Sequence, residues 1–456
     1  MVLIGAGSAM FTRGLVADVI RQAWTGELRL VDLDPVALAA AERLAAKMLA
    51  QRGHGRVTLR ASLDRRELLP GATVVVCTIG VGGRRAWEQD VLIPRRHGVF
   101  QPVGDSVMPG GASRALRMIP AMVAIARDVQ ELAPAALFFN YGNPMSATCR
   151  AVRLATGADM IGLCHGVNHC AGLLAGLLDV PATEFCYNAL GVNHLTWFTE
   201  AGRVGGGSLM PRLREIAAAR CAAADPRFAG TFLTPDGSWP AGDVPAGAAD
   251  PLSWELTAEL GAFPAPQDRH ITEFFPHLYS REGAYYGKTL GVDAFSFEGT
   301  IALGDQEFAR LRDVAQTAAP LPEEFFNSIC GEHEQVTDIV DAIRSGTPRV
   351  FSANLPNCGQ IPNLPADAVV ESPAVTVNGT LKPLPQAPLP ALLAATLASR
   401  LHWIELVVEA ALECDQAKFA QALFLDGCLA SPAAARRLAG DLLAAQQPFL
   451  PEWRLP

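Results

Sequence analysis

Val2-Leu3-Ile4-Gly5-Ala6-Gly7-Ser8 is a short apolar run that breaks into glycine, and a helical pattern follows it from about Phe11 to Ala23. Leu28-Arg29-Leu30-Val31-Asp32 is a second apolar run, closed by an acid. A strand, a tight turn, a helix and a second strand within about thirty residues read as one βαβ unit. Gly at the turn lets the chain bend sharply and lets the backbone approach a ligand.

The alternation continues downstream. Leu38 to Gln51 is rich in Ala and Leu and reads as helix; Ala72 to Ile79 is a continuous apolar run of the kind that forms a strand buried on both faces. Ala115 to Leu132 is helical, Ala135 to Asn140 is a strand, and Met160-Ile161-Gly162-Leu163-Cys164 is a further strand. Alternating strands and helices predict an α/β fold with an N-terminal, doubly wound parallel sheet. After that the pattern changes. Gly205 to Pro266 reads as Pro- and Gly-rich loops, and Ser352 to Pro390 is Pro-rich with β-like runs at Ala368 to Glu371 and Ala374 to Val377. The tail from Ala391 is helical. The expected division is residues 1–185 as a Rossmann-like nucleotide-binding domain and 186–456 as a mixed α+β domain carrying substrate, metal and subunit contacts.

Half of the 456 residues are hydrophobic and 18% are charged, which is the balance of a globular chain. A net charge of -9 without a basic cluster excludes an extended nucleic-acid surface. Met1-Val2-Leu3 has no basic segment ahead of a long apolar core, so no signal peptide is expected. Leu389 to Leu412 carries Arg400, His402, Glu405 and Glu409 and reads as a buried helix, not a membrane span. The ten cysteines lack framework spacing, which suits a reduced, cytoplasmic protein.

Gly5 and Gly7 fit the first two positions of a dinucleotide fingerprint, with Ser8 beside them; Met10 stands where the third Gly is usual. Asp32 is placed to hold a ribose hydroxyl and would repel a 2′-phosphate, so NAD is expected over NADP. Asp34 reads equally as a turn acid. Further on, Cys164-His165-Gly166-Val167 ends a strand, and Val192-Asn193-His194 follows about thirty residues later. A thiolate and an imidazole downstream of a nucleotide fold suggest an open metal site, since closed structural zinc sites use four protein ligands. Taken alone, Cys164 reads as a small core residue and His194 as a structural one.

Several motifs in order carry a resemblance over nearly the whole chain. They are Gly5-Ala6-Gly7-Ser8, Val31-Asp32-Leu33-Asp34, Thr78-Ile79-Gly80-Val81-Gly82-Gly83, Asp105-Ser106 before Pro109-Gly110-Gly111, and Asn140-Tyr141-Gly142-Asn143-Pro144. Cys164-His165-Gly166-Val167, Gly191-Val192-Asn193-His194 and Gly359-Gln360-Ile361-Pro362-Asn363-Leu364-Pro365 complete the set. The chain resembles glycoside hydrolase family 4, the NAD- and divalent-metal-dependent glycosidases. The resemblance implies a second domain of the lactate/malate dehydrogenase-like type, and a homodimer or homotetramer. It implies Cys164 and His194 as Mn²⁺ ligands, Asn143 as a contact to substrate hydroxyls and Asp105 as an acid that tunes the base. Thr78 and Asn140 match positions near the nicotinamide and its ribose. Cys-His-Gly-Val resembles the α-galacturonase branch, and Trp87 stands where phosphoglycosidases tend to carry a phosphate-contacting Arg.

The implied chemistry is a loop that ends where it starts. A hydride passes from C3 of the sugar to NAD⁺, a base takes the acidified C2 proton, the aglycone leaves C1, water adds, and the hydride returns. A Tyr base is usual, but the matching stretch here is Asp268-Arg269-His270-Ile271-Thr272-Glu273-Phe274-Phe275-Pro276. His270 is the expected base, with Asp268, Glu273 and Tyr279 as rivals; Asp268 also reads as a helix N-cap. His165 could protonate the leaving oxygen. Arg269 or Arg114 would hold a uronate carboxylate. The expected substrate is an α-galacturonide, as a small oligosaccharide or uronide, with α-glucuronides and α-galactosides as alternatives. A lactate/malate-type dehydrogenase is the rival from another class, although the Gly-x-His-Gly-type segment of such enzymes is missing.

Overall fold

The computed structural model describes residues 1–8, 11–53, 55–222, 250–279, 297–327 and 334–453. Met10 therefore lies outside the described residues, as does the side chain of Tyr279. The apolar runs form β1 (Val2–Ile4), β2 (Gly26–Val31), β3 (Val57–Ser62), β4 (Val74–Cys77), β5 (Leu137–Asn140) and β6 (Met160–Gly162). They pair in parallel in the order β3-β2-β1-β4-β5-β6. β1 and β4 are buried at every residue, as continuous apolar runs require when helices cover both faces. The α/β fold with a parallel N-terminal sheet is as expected.

The same sheet continues through antiparallel strands. These are β7 (Phe185–Val192), β8 (Leu195–Arg203), β9 (Phe263–Ala265), β10 (Val350–Pro356), β11 (Val369–Val377) and β12 (Thr380–Pro383). β10 joins the two halves by pairing Asn354 with Gly162 of β6, and the order runs on as β10-β11-β7-β8-β9. The second part is thus mixed, and the sheet passes through residue 185 without a break.

Three readings of local structure need correction. Gly205 to Pro266 is not all loop: it holds the helices Met210–Ala222 and Pro251–Leu260 and strand β9, while residues 223–249 lie outside the described set. Ala368 to Glu371 and Ala374 to Val377 are one strand, carried through Ser372-Pro373 by pairing with β10. The helix expected from Ala115 starts earlier, at Met108, with Pro109 in its first turn. Gly110 and Gly111 belong to that turn because of close approach: a Cβ at Gly111 would stand 2.4 Å from the Ser106 carbonyl carbon.

Helix Ala391–Glu413 is long and apolar enough to cross a membrane. It packs instead on helices Met108–Leu132 and Met145–Thr156 and buries Leu393, Leu397, Leu401, Val407 and Val408. Each such side chain contributes about 1.5–3 kcal/mol. The parallel strands end together on one side, where ligands gather in open α/β sheets.

Candidate functional site

The glycine turn is built as its sequence suggests. Gly5 has φ +93°, and a Cβ there would lie 2.9 Å from Ile79 N and from the Thr78 carbonyl carbon. A Cβ at Gly7 would lie 2.6 Å from Ala37 Cβ and 2.8 Å from Asp32 Oδ2. Asp32 Oδ2 accepts the Gly7 N–H at 2.7 Å, and Thr78 Oγ1 donates to Gly5 O at 3.0 Å. Ser8 Oγ accepts the Phe11 N–H, so the turn leads into the N-terminus of helix Phe11–Arg21. A cradle without side chains, a helix N-terminus and an acid at the end of β2 fit a dinucleotide. Asp34 caps helix Pro35–Arg52 through the Val36 and Ala37 N–H groups. Asn140 is fully buried and closes on its own turn, donating to Gly142 O and accepting from Gly142 N at 2.9 Å each.

A second cluster lies beyond the strand ends. Asp105, His194 and His270 place one ligand atom each within 4.8 Å of one another. His194 sits at the tip of the β7–β8 hairpin with φ +70°, a left-handed backbone that costs a non-glycine residue energy and that clusters at functional positions. Its Nδ1 bonds Ser106 Oγ at 2.8 Å, and that hydroxyl donates to Asp105 Oδ1 at 2.8 Å. Asp105 Oδ1 also lies 3.9 Å from His270 Nδ1. His270 Nδ1 is buried without a hydrogen-bond partner. Burial lowers the His194 ring to about 4, against the pull of Asp105 upward, and drives His270 well below its ordinary value, helped by His194 and Arg269. Both rings are therefore neutral at pH 7, the state a metal ligand or a proton acceptor needs.

Asn143 Nδ2 donates to Asp105 Oδ2 at 2.9 Å, and its Oδ1 is buried without a partner, free to accept a hydroxyl. Arg114 Nε donates to Asn143 O at 3.0 Å, which makes it a support of that turn. Arg269 Nη2 donates to Gln267 Oε1 at 2.6 Å, and its charge adds a smaller lowering to the effect of burial on His165, His194 and His270. His165 precedes helix Gly166–Leu177, and burial, then His169 and Arg269, bring it down to about 4. A ring held this low is uncharged at neutral pH, so its N–H is what it can offer a leaving oxygen. Cys164 is buried, and its Sγ accepts the Gly166 N–H with N and S 3.4 Å apart; it lies in the link after β6 that leads into helix Gly166–Leu177.

Asp268 departs from the catalytic expectation. Its carboxylate is fully buried and takes the Leu252 and Ser253 N–H groups and the Ser253 hydroxyl at 2.6–2.8 Å, capping helix Pro251–Leu260. It begins the short helix Asp268–Ile271, and Gln267 is that helix's N-cap. Trp87 is occupied structurally, with Nε1 on Val103 O at 2.7 Å and its ring edge-on to Phe297. Sequence reasoning missed Ser106 as the link between Asp105 and His194, although it directly follows Asp105.

Behind the hairpin lies Glu371 of β11, 3.0 Å from Thr196 Oγ1 and 3.2 Å from Ser352 Oγ. Burial raises its carboxyl to about 7 from 4.5, and the surrounding hydroxyls and amides offset only part of this. Between those pH values the folded chain holds a proton that the unfolded chain has released. Stability should therefore fall by up to about 3 kcal/mol as pH rises from 4.5 through 7. Urea unfolding at pH 5 and pH 8 should show this slope in the parent and a flatter one in Glu371→Gln. Equal slopes would place the Glu371 carboxyl at its ordinary value.

Comparison with known proteins agrees with this geometry. Residues 1–180 match "Family 4 glycosyl hydrolase" and residues 189–428 match "Family 4 glycosyl hydrolase C-terminal domain". An alpha-galacturonidase of Bacillus subtilis is 31% identical over 437 residues, 93% of this chain and 92% of that one. An alpha-galactosidase of Rhizobium meliloti is 29% identical over 472 residues, 99% of this chain and 89% of that one. The crystal structure of lplD from Bacillus subtilis superposes with TM-score 0.81 at 29% identity, over 97% of this chain and 99% of that one. A 6-phospho-alpha-glucosidase from gut microorganisms, solved with NAD and Mn²⁺, has the same fold at TM-score 0.81 and 19% identity, over 99% of each chain. With both family regions matched in order along one continuous sheet, the chain belongs to family 4 of the glycosyl hydrolases.

Proposed function

We propose that this glycosidase cleaves α-galacturonides with NAD and a divalent cation, Mn²⁺ or one of similar chemistry, as recycled cofactors. What supports the uronate is the likeness to the alpha-galacturonidase of Bacillus subtilis, together with Cys164-His165-Gly166-Val167 and the half-buried Arg269 next to His270 in the chain. A carboxylate is the substrate group such a charge suits best. Trp87, tied to Val103 O, offers a phosphate nothing.

The residues divide the work. Gly5, Gly7 and Ser8 receive the pyrophosphate, Asp32 holds the ribose and Thr78 fixes the turn beside it. Asp105 and His194 hold the cation, with Cys164 as the third ligand. When bound, the two cofactors supply hydride acceptance at C3 and polarisation of the C3 oxygen. His270 takes the C2 proton on its unpartnered Nδ1. Asn143 Oδ1 accepts a substrate hydroxyl, and the neutral His165 ring orients the leaving oxygen through its N–H. The working unit in this reading is a homodimer or homotetramer, which mass photometry checks directly.

A panel of p-nitrophenyl α-galacturonide, α-glucuronide, α-galactoside and α-glucoside tests the substrate. The galacturonide is expected to lead by at least about tenfold in kcat/KM, and only with NAD⁺ and Mn²⁺ present, since a charge-assisted pair contributes roughly 1.5–3 kcal/mol. Equal rates on the galactoside would remove the uronate, and stoichiometric NADH without aglycone would indicate a dehydrogenase. In Co²⁺-loaded protein a near-ultraviolet thiolate band should vanish in Cys164→Ser. Its absence from the parent would take Cys164 out of the ligand set.

A further inference from the structure

Loop 103–106 carries Asp105 and Ser106 and belongs to no strand or helix, so its buried N–H groups must find partners elsewhere. Val103 N–H and Gly104 N–H both donate to one oxygen, Glu273 Oε1, at 2.8 Å each. Glu273 is 1% exposed, and its Oε2 has no hydrogen-bond partner. The carbonyl of Glu273 is held in turn by Arg400 at 2.9 Å, and buried Arg400 pairs with buried Asp426. On its other side the loop is confined by shape. Gly104 has φ +64°, and a Cβ there would meet Gln101 Nε2 at 2.4 Å and Val91 Cγ2 at 2.7 Å. Trp87 and Asn143 bond the Val103 carbonyl and the Asp105 carboxylate, while the two N–H groups of Val103 and Gly104 depend on a single carboxyl oxygen.

We propose that Glu273 is a positioning residue of this site, whose side-chain oxygen holds loop 103–106 so that Asp105 and Ser106 face His194 and His270. This rests on Asp105, His194 and their neighbours being the cation site. Glu273 itself touches neither cation nor sugar. Its effect passes through two N–H bonds to the residue pair that follows them, and Arg400 extends the hold to helix Ala391–Glu413. Burial, with Asp105 adding to it, raises the Glu273 carboxyl well above its ordinary value. Glu273→Gln keeps a carbonyl oxygen at the Oε1 position and so keeps the acceptor of both N–H groups.

Amide hydrogen exchange of the NAD-loaded protein reads the two bonds directly. In Glu273→Ala the peptide covering Val103 and Gly104 should exchange at least about tenfold faster, with β1 to β5 unchanged. Mn²⁺ affinity, titrated calorimetrically without sugar, should drop roughly 10–100-fold, the range for lost support of a ligand. Glu273→Gln should keep both within about threefold of the parent. Unchanged protection in Glu273→Ala overturns the proposal, and so does equal loss in Glu273→Gln. If Glu273→Ala does not fold, Glu273→Met fills the space without an acceptor and carries the same expectation. A parent protein that binds no Mn²⁺, while Glu273→Ala still loses loop protection, refutes the cation site and leaves the loop clamp standing.

Discussion

Turnover of His194→Ala should fall by at least about 10³-fold, with NAD affinity unchanged. The size follows from what the imidazole holds. A divalent cation at a reacting oxygen contributes several kcal/mol, roughly 4, and that converts to about 10³-fold in rate. His194 Nδ1 is committed to Ser106, which fixes the ring and leaves Nε2 as its ligand atom. The ring is neutral because burial outweighs Asp105, so no proton need be displaced at pH 7. Aglycone release and Mn²⁺ titration should fail together in this variant. His270→Ala should keep Mn²⁺ affinity within about tenfold and lose exchange of the C2 proton with solvent. If His194→Ala binds Mn²⁺ as the parent does, the cation lies elsewhere; if His270→Ala loses it, His270 is a ligand and not the base.

What could be read from the chain, and what could not, divides by distance along it. The nucleotide turn was legible because Gly5, Gly7 and Asp32 are local: strand, turn and acid lie within one βαβ unit, and each glycine answers to a neighbour that a Cβ would strike. The cation cluster was only partly legible. His194, Asp105 and His270 come from three segments, and their approach depends on the sheet continuing from β6 through β10 and β11 to β7. No pattern in the sequence announces that Ser106 would span two of them. Asp268 and Glu273 show the opposite failure. Both are acids in the right stretch, so both looked chemical, yet each carboxyl faces backbone N–H groups and serves as a cap or a clamp. What separates such acids from catalytic ones is which groups the carboxyl bonds, and that is a property of the fold. Gly359-Gln360-Ile361-Pro362-Asn363-Leu364-Pro365 behaves similarly. Asn357 bonds the carbonyls of Ile361, Leu364 and Pro365, and Gln360 bonds Pro356 O, so this motif builds the β10–β11 connection.

The glycine loop after β4 depends on a partner that lies far away in sequence, and removing it should produce the largest loss of stability. Arg117 Nε donates to Val81 O at 2.8 Å, while its two terminal nitrogens meet the Asp90 carboxylate at 2.8 and 2.6 Å. Both side chains are essentially inaccessible, and Gln446 from the C-terminal helix Pro432–Gln446 donates to Asp90 Oδ1 at 2.9 Å. Arg117→Met leaves the Asp90 charge buried and uncompensated, a change that costs about 3–5 kcal/mol. Asp90→Asn combined with Arg117→Met removes the stranded charge and should recover part of that loss in urea unfolding. The double variant still lacks the bond to Val81, so NAD⁺ affinity should remain weakened several-fold by fluorescence titration even where stability returns. That separation is the informative result. Stability follows the charge pair, whereas cofactor affinity follows the single N–H bond that holds Val81 beside the nucleotide cradle. Recovery of both together would mean that Arg117 acts on the loop only through the packing of helices Gly83–Arg96 and Met108–Leu132.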